Sequence, residues 1–141
     1  MGLQRTLRAG EVAPGDELPV LDVPVTATSI VAGAIASRDY QDVHHDRDLA
    51  VARGSKDIFM NILTTNGYVG RYVTDWAGPE AQLRCIDIRL GAPNYPGDRM
   101  RMTGRVAEVQ RGLVTVSVRG ANSLGDHVSG SVVLELPGAP T

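Results

Sequence analysis

From residue 83 onward, apolar and polar side chains alternate. Residues 83–90 (LRCIDIRL) set Ile86, Ile88 and Leu90 on one side. Residues 99–109 set Met100, Met102 and Val106 against Arg99, Arg101 and Arg105. Val114, Val116 and Val118 share a face in 113–119, as do Val128, Val132, Leu134 and Leu136 in 128–136. A period of two marks half-buried antiparallel strands. Gln110-Arg111-Gly112 and Leu124-Gly125-Asp126 read as the hairpin turns between them. The first half of the chain has the longer, helical period. Over residues 58–77, Phe59, Ile62, Val69, Val73 and Trp76 recur near helical spacing until Gly78-Pro79 stops the run. Gly67 and Gly70 lie inside it, each at a cost of about 1 kcal/mol relative to Ala. Close packing accounts for both better than room for a substrate chain does.

Two shorter helices are expected, at 28–37 (TSIVAGAIAS) with Thr28 or Ser29 as cap, and at 46–53 between Asp46 and Gly54. Residues 17–26 (ELPVLDVPVT) are extended, and Pro19 and Pro24 confine them to a sheet edge. Residues 1–16 read as an N-terminal arm, 17–137 as one domain and 138–141 as a tail. The order is therefore one strand, helices, a long helix and four strands. The long helix needs cover and the sheet offers one apolar face. The simplest solution is α+β: a single hotdog fold, with a curled antiparallel sheet wrapped around a long central helix.

At 141 residues the chain suits one domain. Fourteen basic against 16 acidic residues give a net charge of −2, which argues against a nucleic-acid binder. No apolar run approaches the roughly 20 residues that span a bilayer, and the start does not resemble a signal peptide, so a soluble, cytoplasmic protein is expected. The single cysteine, Cys85, rules out an intramolecular disulfide and is expected to be packed in its strand.

Chemistry concentrates in residues 37–46 (SRDYQDVHHD), which carry Asp39, Asp42, His44, His45 and Asp46. A metal site is disfavoured: adjacent His44 and His45 point apart, no HxxxH spacing exists and no cysteine is near. The alternative is an acid/base pair of Asp39 and His44. Five residues along an unbroken helix turn through about 500°, leaving the two side chains about 140° apart. They converge only if the helix breaks, and Tyr40-Gln41-Asp42 is a suitable place. A carboxylate beside an imidazole can hold a water and move its protons. A solvated loop with a capping Asp accounts for the same residues. The start of the long helix adds a third element. Asp57 or Asn61 could cap it, and only the later start leaves the Asn61 and Ile62 amides free to bind a developing oxyanion. His127 is read as structural, and His45 equally as a support beside the pair or as a surface or capping residue.

The run Arg38-Asp39-Tyr40-Gln41-Asp42-Val43-His44 resembles the G-D-x-N-P-x-H motif of the MaoC-like, type 2 enoyl-CoA hydratases. Pro93-Asn94-Tyr95-Pro96-Gly97-Asp98 resembles the same family's strand-interrupting segment. Arg38 stands for the motif glycine, Gln41-Asp42 for Asn-Pro, and Met60-Asn61 for the His-Gly at the head of the central helix. The stretches DYQDVHHDRD, GSKDIF, NIL, RYVTDWAGP and SLGDHV look most like one branch: the small catalytic subunit of the heteromeric enoyl-CoA hydratase of bacterial steroid side-chain degradation. The resemblance implies water addition to C3 of a 2-enoyl-CoA by catalytic Asp39 and His44, with the Asn61 backbone N–H as oxyanion donor. It implies no metal or other cofactor, coenzyme A being part of the substrate. It also implies a larger MaoC-like partner with a DUF35-type domain, in a heterotetramer. Arg99, Arg101 and Arg105 could meet CoA phosphates, although a solvent-facing strand edge accounts for them as well. A homodimeric straight-chain hydratase or dehydratase, a hotdog thioesterase and a non-catalytic acyl-binding subunit are the rival readings.

Overall fold

A computed structural model describes residues 4–138. Five strands form one antiparallel sheet in the order β1-β3-β4-β5-β2. They are β1 (Leu21–Pro24), β2 (Gln82–Leu90), β3 (Arg99–Gln110), β4 (Leu113–Asn122) and β5 (Gly125–Glu135). Helices α1 (Ala27–Ala36) and α2 (Arg47–Ala52) precede the long helix α3 (Ile62–Ala77). The sheet curls around α3, the hotdog arrangement the sequence predicts.

The alternation in the sequence is the alternation of burial. Met100, Met102 and Val106 of β3, Val114, Val116 and Val118 of β4, and Val128, Val132, Leu134 and Leu136 around β5 are all buried. They meet the face of α3 formed by Thr65, Val69, Tyr72, Val73 and Ala77. Arg111 and Gly112, with φ of 51° and 82°, make the tight β3–β4 hairpin turn. On the outer face Arg101, Arg105 and Arg119 pair with Asp22, Glu17 and Asp126 and are exposed.

The two edges differ. β1 is four residues long and flanked or ended by prolines, as Pro19 and Pro24 require. β2 is nine residues long and mostly exposed. Ile86 and Ile88 pack partly against the core, but Leu90 is 41% exposed. Cys85 is also exposed, which corrects the expectation that it is packed. Its partner is Val133, on the outer face, whereas Ile86 pairs with buried Val132.

The long helix starts four residues later than its period suggests. Asn61 caps it, accepting from Thr64 N at 3.0 Å, whereas the Asp57 carboxylate is occupied by the Ile58 amide at 2.7 Å. Phe59 therefore lies outside the helix and Ile62 is half exposed. The first short helix is capped by Thr26, not Thr28 or Ser29, because Ser29 returns a bond to the Thr26 amide and closes a capping box. A Cβ on Gly70 would rest 3.5 Å from Ile86, in ordinary packing contact, but one on Gly67 would meet nothing within 4 Å. Close packing therefore requires glycine at neither position.

The N-terminal segment lies along the domain: Leu7 N donates to Ala77 O at 2.9 Å, Ala9 N to Pro137 O at 3.1 Å and Gly15 N to Val106 O at 2.8 Å. At the end of α3, Gly78 has φ 96°, and a Cβ there would sit 2.5 Å from the Thr6 Cα. Both the backbone conformation and the close approach require glycine.

Where α1 crosses α3, a Cβ on Gly33 would lie 2.2 Å from Thr64 Oγ1. This contact seats the C-terminal end of α1 against the start of α3. Gly33→Ala is therefore expected to destabilise the chain by about 1–3 kcal/mol. Thr64→Ala in the same molecule should recover most of that loss, measured by denaturant unfolding.

His127 is fully buried between α3 and the sheet. Its Nδ1 lies 2.7 Å from Ala92 O and its Nε2 2.8 Å from Thr65 Oγ1. The carbonyl can only accept, so Nδ1 carries the proton and Nε2 accepts from the threonine. Burial pushes the imidazole pKa down from its ordinary value, with the Ala92 bond opposing more weakly. Below an unfolded pKa of about 6.5 the unfolded chain binds the extra proton first. Stability from this group is thus complete above that pH and falls as pH drops through and below it. His127→Gln should flatten that part of the stability profile, seen in urea titrations between pH 7.5 and 5.

Candidate active site

The end of α1 sets the position of Asp39. Arg38 N donates to Ile35 O at 3.0 Å and Asp39 N to Ala34 O at 2.9 Å. These are the two bonds of a Schellman C-cap, and Arg38 occupies its left-handed position with φ 56°. Glycine is usual there. The turn therefore comes one residue before Asp39, not at Tyr40-Gln41-Asp42 as the spacing argument expects. It has the required effect: the chain leaves the helix and Asp39 no longer follows its screw.

The chain then re-forms as a single 3₁₀ turn, Asp42–His44. Asp42 holds this turn to the end of α2 through paired bonds to Arg53, each 2.8 Å long. Asp46 caps α2, accepting from Leu49 N at 3.0 Å. His45 is exposed. Of the five aspartates and histidines in this segment, two are structural, one faces solvent, and Asp39 and His44 converge. Among the described residues, no cluster of three or more histidines, cysteines and carboxylates is arranged to hold a metal.

The His44 ring is buried and held on its Nδ1 side by Phe59. Its Nδ1 lies 2.6 Å from Phe59 O, and the ring meets Phe59 edge to face at 5.0 Å. Phe59 is held in turn, its amide donating to Val43 O at 3.2 Å. The next amide, Met60 N, donates to Asn94 O at 3.1 Å. The strand-interrupting segment thus supports the wall behind the histidine. Asp98 ties that segment to the β4–β5 turn through the Ser123 hydroxyl at 2.6 Å. Because the Phe59 carbonyl can only accept, the neutral ring carries its proton on Nδ1 and presents a bare Nε2.

That Nε2 is 3.4 Å from Asp39 Oδ2. Two acceptors thus face each other in the neutral state, and a water with two O–H bonds satisfies both. Asn61 Nδ2 donates to the same Asp39 oxygen at 3.0 Å and to Ser37 Oγ at 2.9 Å. The Asn61 amide holds the Asp39 carboxyl below the usual carboxylate range. Partial burial opposes this, while the Gln41 amide and the nearby His44 reinforce it. The backbone amides of Asn61 and Ile62 make no hydrogen bond within the described residues and lie at the positive end of α3. With φ of −78°, Asn61 needs none of glycine's freedom to present its N–H.

Sequence reasoning singled out the Asp39, His44 and Asn61 positions but missed three supports. The Phe59 carbonyl, the Ser37 hydroxyl and the Asn61 side chain act through contacts that span 15 to 24 residues. A strong N-cap residue signals a helix start and says nothing of what its other amide atom reaches.

Comparison with known proteins adds independent information. The family described as "MaoC like domain" matches residues 11–127. The 3-oxo-4,17-pregnadiene-20-carboxyl-CoA hydratase beta subunit of Mycobacterium tuberculosis is 56% identical over 122 residues, 86% of this chain and 95% of that protein. A chain in the crystal structure of the ChsH1-ChsH2 complex from the same organism superposes with a TM-score of 0.87 at 55% identity, covering 88% of this chain and 98% of that one. The R-hydratase PhaJ1 of Pseudomonas aeruginosa shares the fold at 18% identity, with a TM-score of 0.86 over 95% of this chain and 88% of its own.

The left-handed conformation at Arg38 costs an L-residue about 1 kcal/mol that glycine does not bear. Arg38→Gly is expected to raise unfolding stability by up to about that amount. An unchanged or lowered denaturation midpoint would show that the Arg38 side chain makes a compensating contact.

Proposed function

The chain belongs to the MaoC-like domain family, and we propose that it is the catalytic subunit of an enoyl-CoA hydratase acting on a steroid side-chain 2-enoyl-CoA. The observation that carries the chemistry is an imidazole held at Nδ1 by the Phe59 carbonyl, with Nε2 turned toward the Asp39 carboxylate, beside the capped start of α3. Water held between Asp39 and His44 attacks C3 of the thioester-conjugated alkene. His44 Nε2 takes the proton as the C3–O bond forms. The alkene electrons move toward the thioester oxygen, where the Asn61 N–H stabilises the enolate. The enolate collapses, and C2 receives a proton through the Asp39–His44 pair, leaving both groups as they began. Asp39 orients the water and relays that proton. No metal, flavin or nicotinamide takes part, and coenzyme A enters with the substrate.

The choice of acyl group rests on the 56% identity to a hydratase subunit named for a pregnadiene-carboxyl-CoA. A fused-ring acyl group needs a wide apolar cavity. A larger partner subunit carrying a MaoC-like domain without the dyad and a DUF35-type domain provides it, in a cytoplasmic heterotetramer. The similarity to a chain of a two-component complex supports this assembly.

Loss of enoyl-thioester absorbance tests the reading. The chain with its co-expressed partner should hydrate a steroid side-chain enoyl-CoA and act poorly on a straight-chain one. Full activity of the chain alone on octenoyl-CoA would overturn the substrate and the assembly together. Release of free thiol would make it a thioesterase. Asp39→Asn and His44→Ala should each lower turnover by about 10²-fold or more while leaving the fold intact.

A further inference from the structure

The side chain of Asn61 does more than a cap requires. Capping uses only Oδ1, which accepts from Thr64 N at 3.0 Å. Aspartate or serine would serve there equally well. The nitrogen is surplus to the cap, and it is the nitrogen that reaches the site. A backbone N–H can only donate, so Oδ1 must face Thr64 and Nδ2 must face Asp39, whose ionised carboxylate can only accept. Both N–H bonds are then used, one on Asp39 Oδ2 at 3.0 Å and one on Ser37 Oγ at 2.9 Å. Ser37 accepts because its own hydroxyl donates to Gly33 O at 2.7 Å. No other orientation of the amide satisfies the same partners, and Asn61 is 2% exposed.

From this arrangement we infer that the Asn61 side chain is a positioning residue for the reaction, locking the Asp39 carboxylate to the first turn of α3 so that it faces His44. The inference rests on the hydratase reading above and deepens it. One residue then sets two things: its backbone N–H faces the thioester oxygen, and its amide nitrogen fixes the group that holds the water. The spacing between water and oxyanion site is thereby fixed within a single residue. An amide suits this because it donates to a carboxylate without neutralising it. Aspartate at the same place would cap equally well and set two carboxylates against each other.

The test uses the assembled enzyme with its partner subunit and compares Asn61→Ser and Asn61→Asp. Both keep a capping oxygen and lose the amide nitrogen that reaches Asp39. Asn61→Ser should lower kcat by roughly 10- to 100-fold, the scale of a misplaced reacting group. KM should change far less, and the acid limb of the kcat profile should move to higher pH. Asn61→Asp should move that limb further. In an Asp39→Asn background, Asn61→Ser should cost almost nothing more, since its effect passes through the missing carboxylate. Wild-type kcat and an unmoved acid limb in both variants would overturn the inference. So would a loss that persists undiminished in the Asp39→Asn background, which would trace it to the backbone amide or the fold. Normal turnover in Asp39→Asn by itself would instead remove the dyad, and the inference with it.

Discussion

A sixteen-residue helix with one apolar face is marginal in water until that face is covered. The concave side of the sheet covers α3 along its length, and the position of everything else follows. The start of α3 is fixed over the sheet, so its free amides point at a fixed place. Residues 58–61 enter the helix extended, with Phe59 and Met60 tied to Val43 and Asn94. The close crossing at Gly33 then brings the end of α1 onto the same spot. Asp39 comes from one helix end, His44 from the turn after it, and the amides from another helix start. Their meeting is a by-product of burying Val69, Tyr72 and Val73.

The chemistry of the site is set largely by main-chain atoms. The carbonyl of Phe59 decides which imidazole nitrogen is bare. A Schellman turn decides where Asp39 leaves the helix. The amides at the start of α3 place the positive end of that helix beside the pair. Side chains refine this frame and do not create it. That explains how the motif tolerates Arg38 where glycine is usual and Asn61 in place of His-Gly's glycine: the first bears a modest strain, and the second has an ordinary φ.

These features differ in how they can be read from sequence. The strands of the second half are legible because a period of two is repeated over many residues, and the buried positions of β3, β4 and β5 are those the pattern marks. The helix start is less legible, since residues 58–61 are apolar enough to continue the helical period and only the competition between Asp57 and Asn61 ends it. The pairing of Asp39 with His44 is visible as a spacing, but its convergence depends on one left-handed residue outside the proposed break. Cys85 shows the reverse case: its alternation is correct, yet at a sheet edge the face away from Ile86 meets solvent. The bonds from Asn61 to Ser37 and Asp39 have no sequence signature, because they exist only once two helices cross.

The difference between the two sheet edges has a consequence for growth of the sheet. β1 is short and bounded by prolines that cannot donate to a neighbouring strand. β2 offers nine residues of backbone with Leu83 and Leu90 exposed on it. A sheet open on one side only can be lengthened once, by one neighbour, and then both outward edges are closed. Such a geometry favours a finite pairing over an open-ended filament. Pro19 and Pro24 thus act as a stop signal at one edge of the sheet and leave β2 as the edge on which a further strand can add.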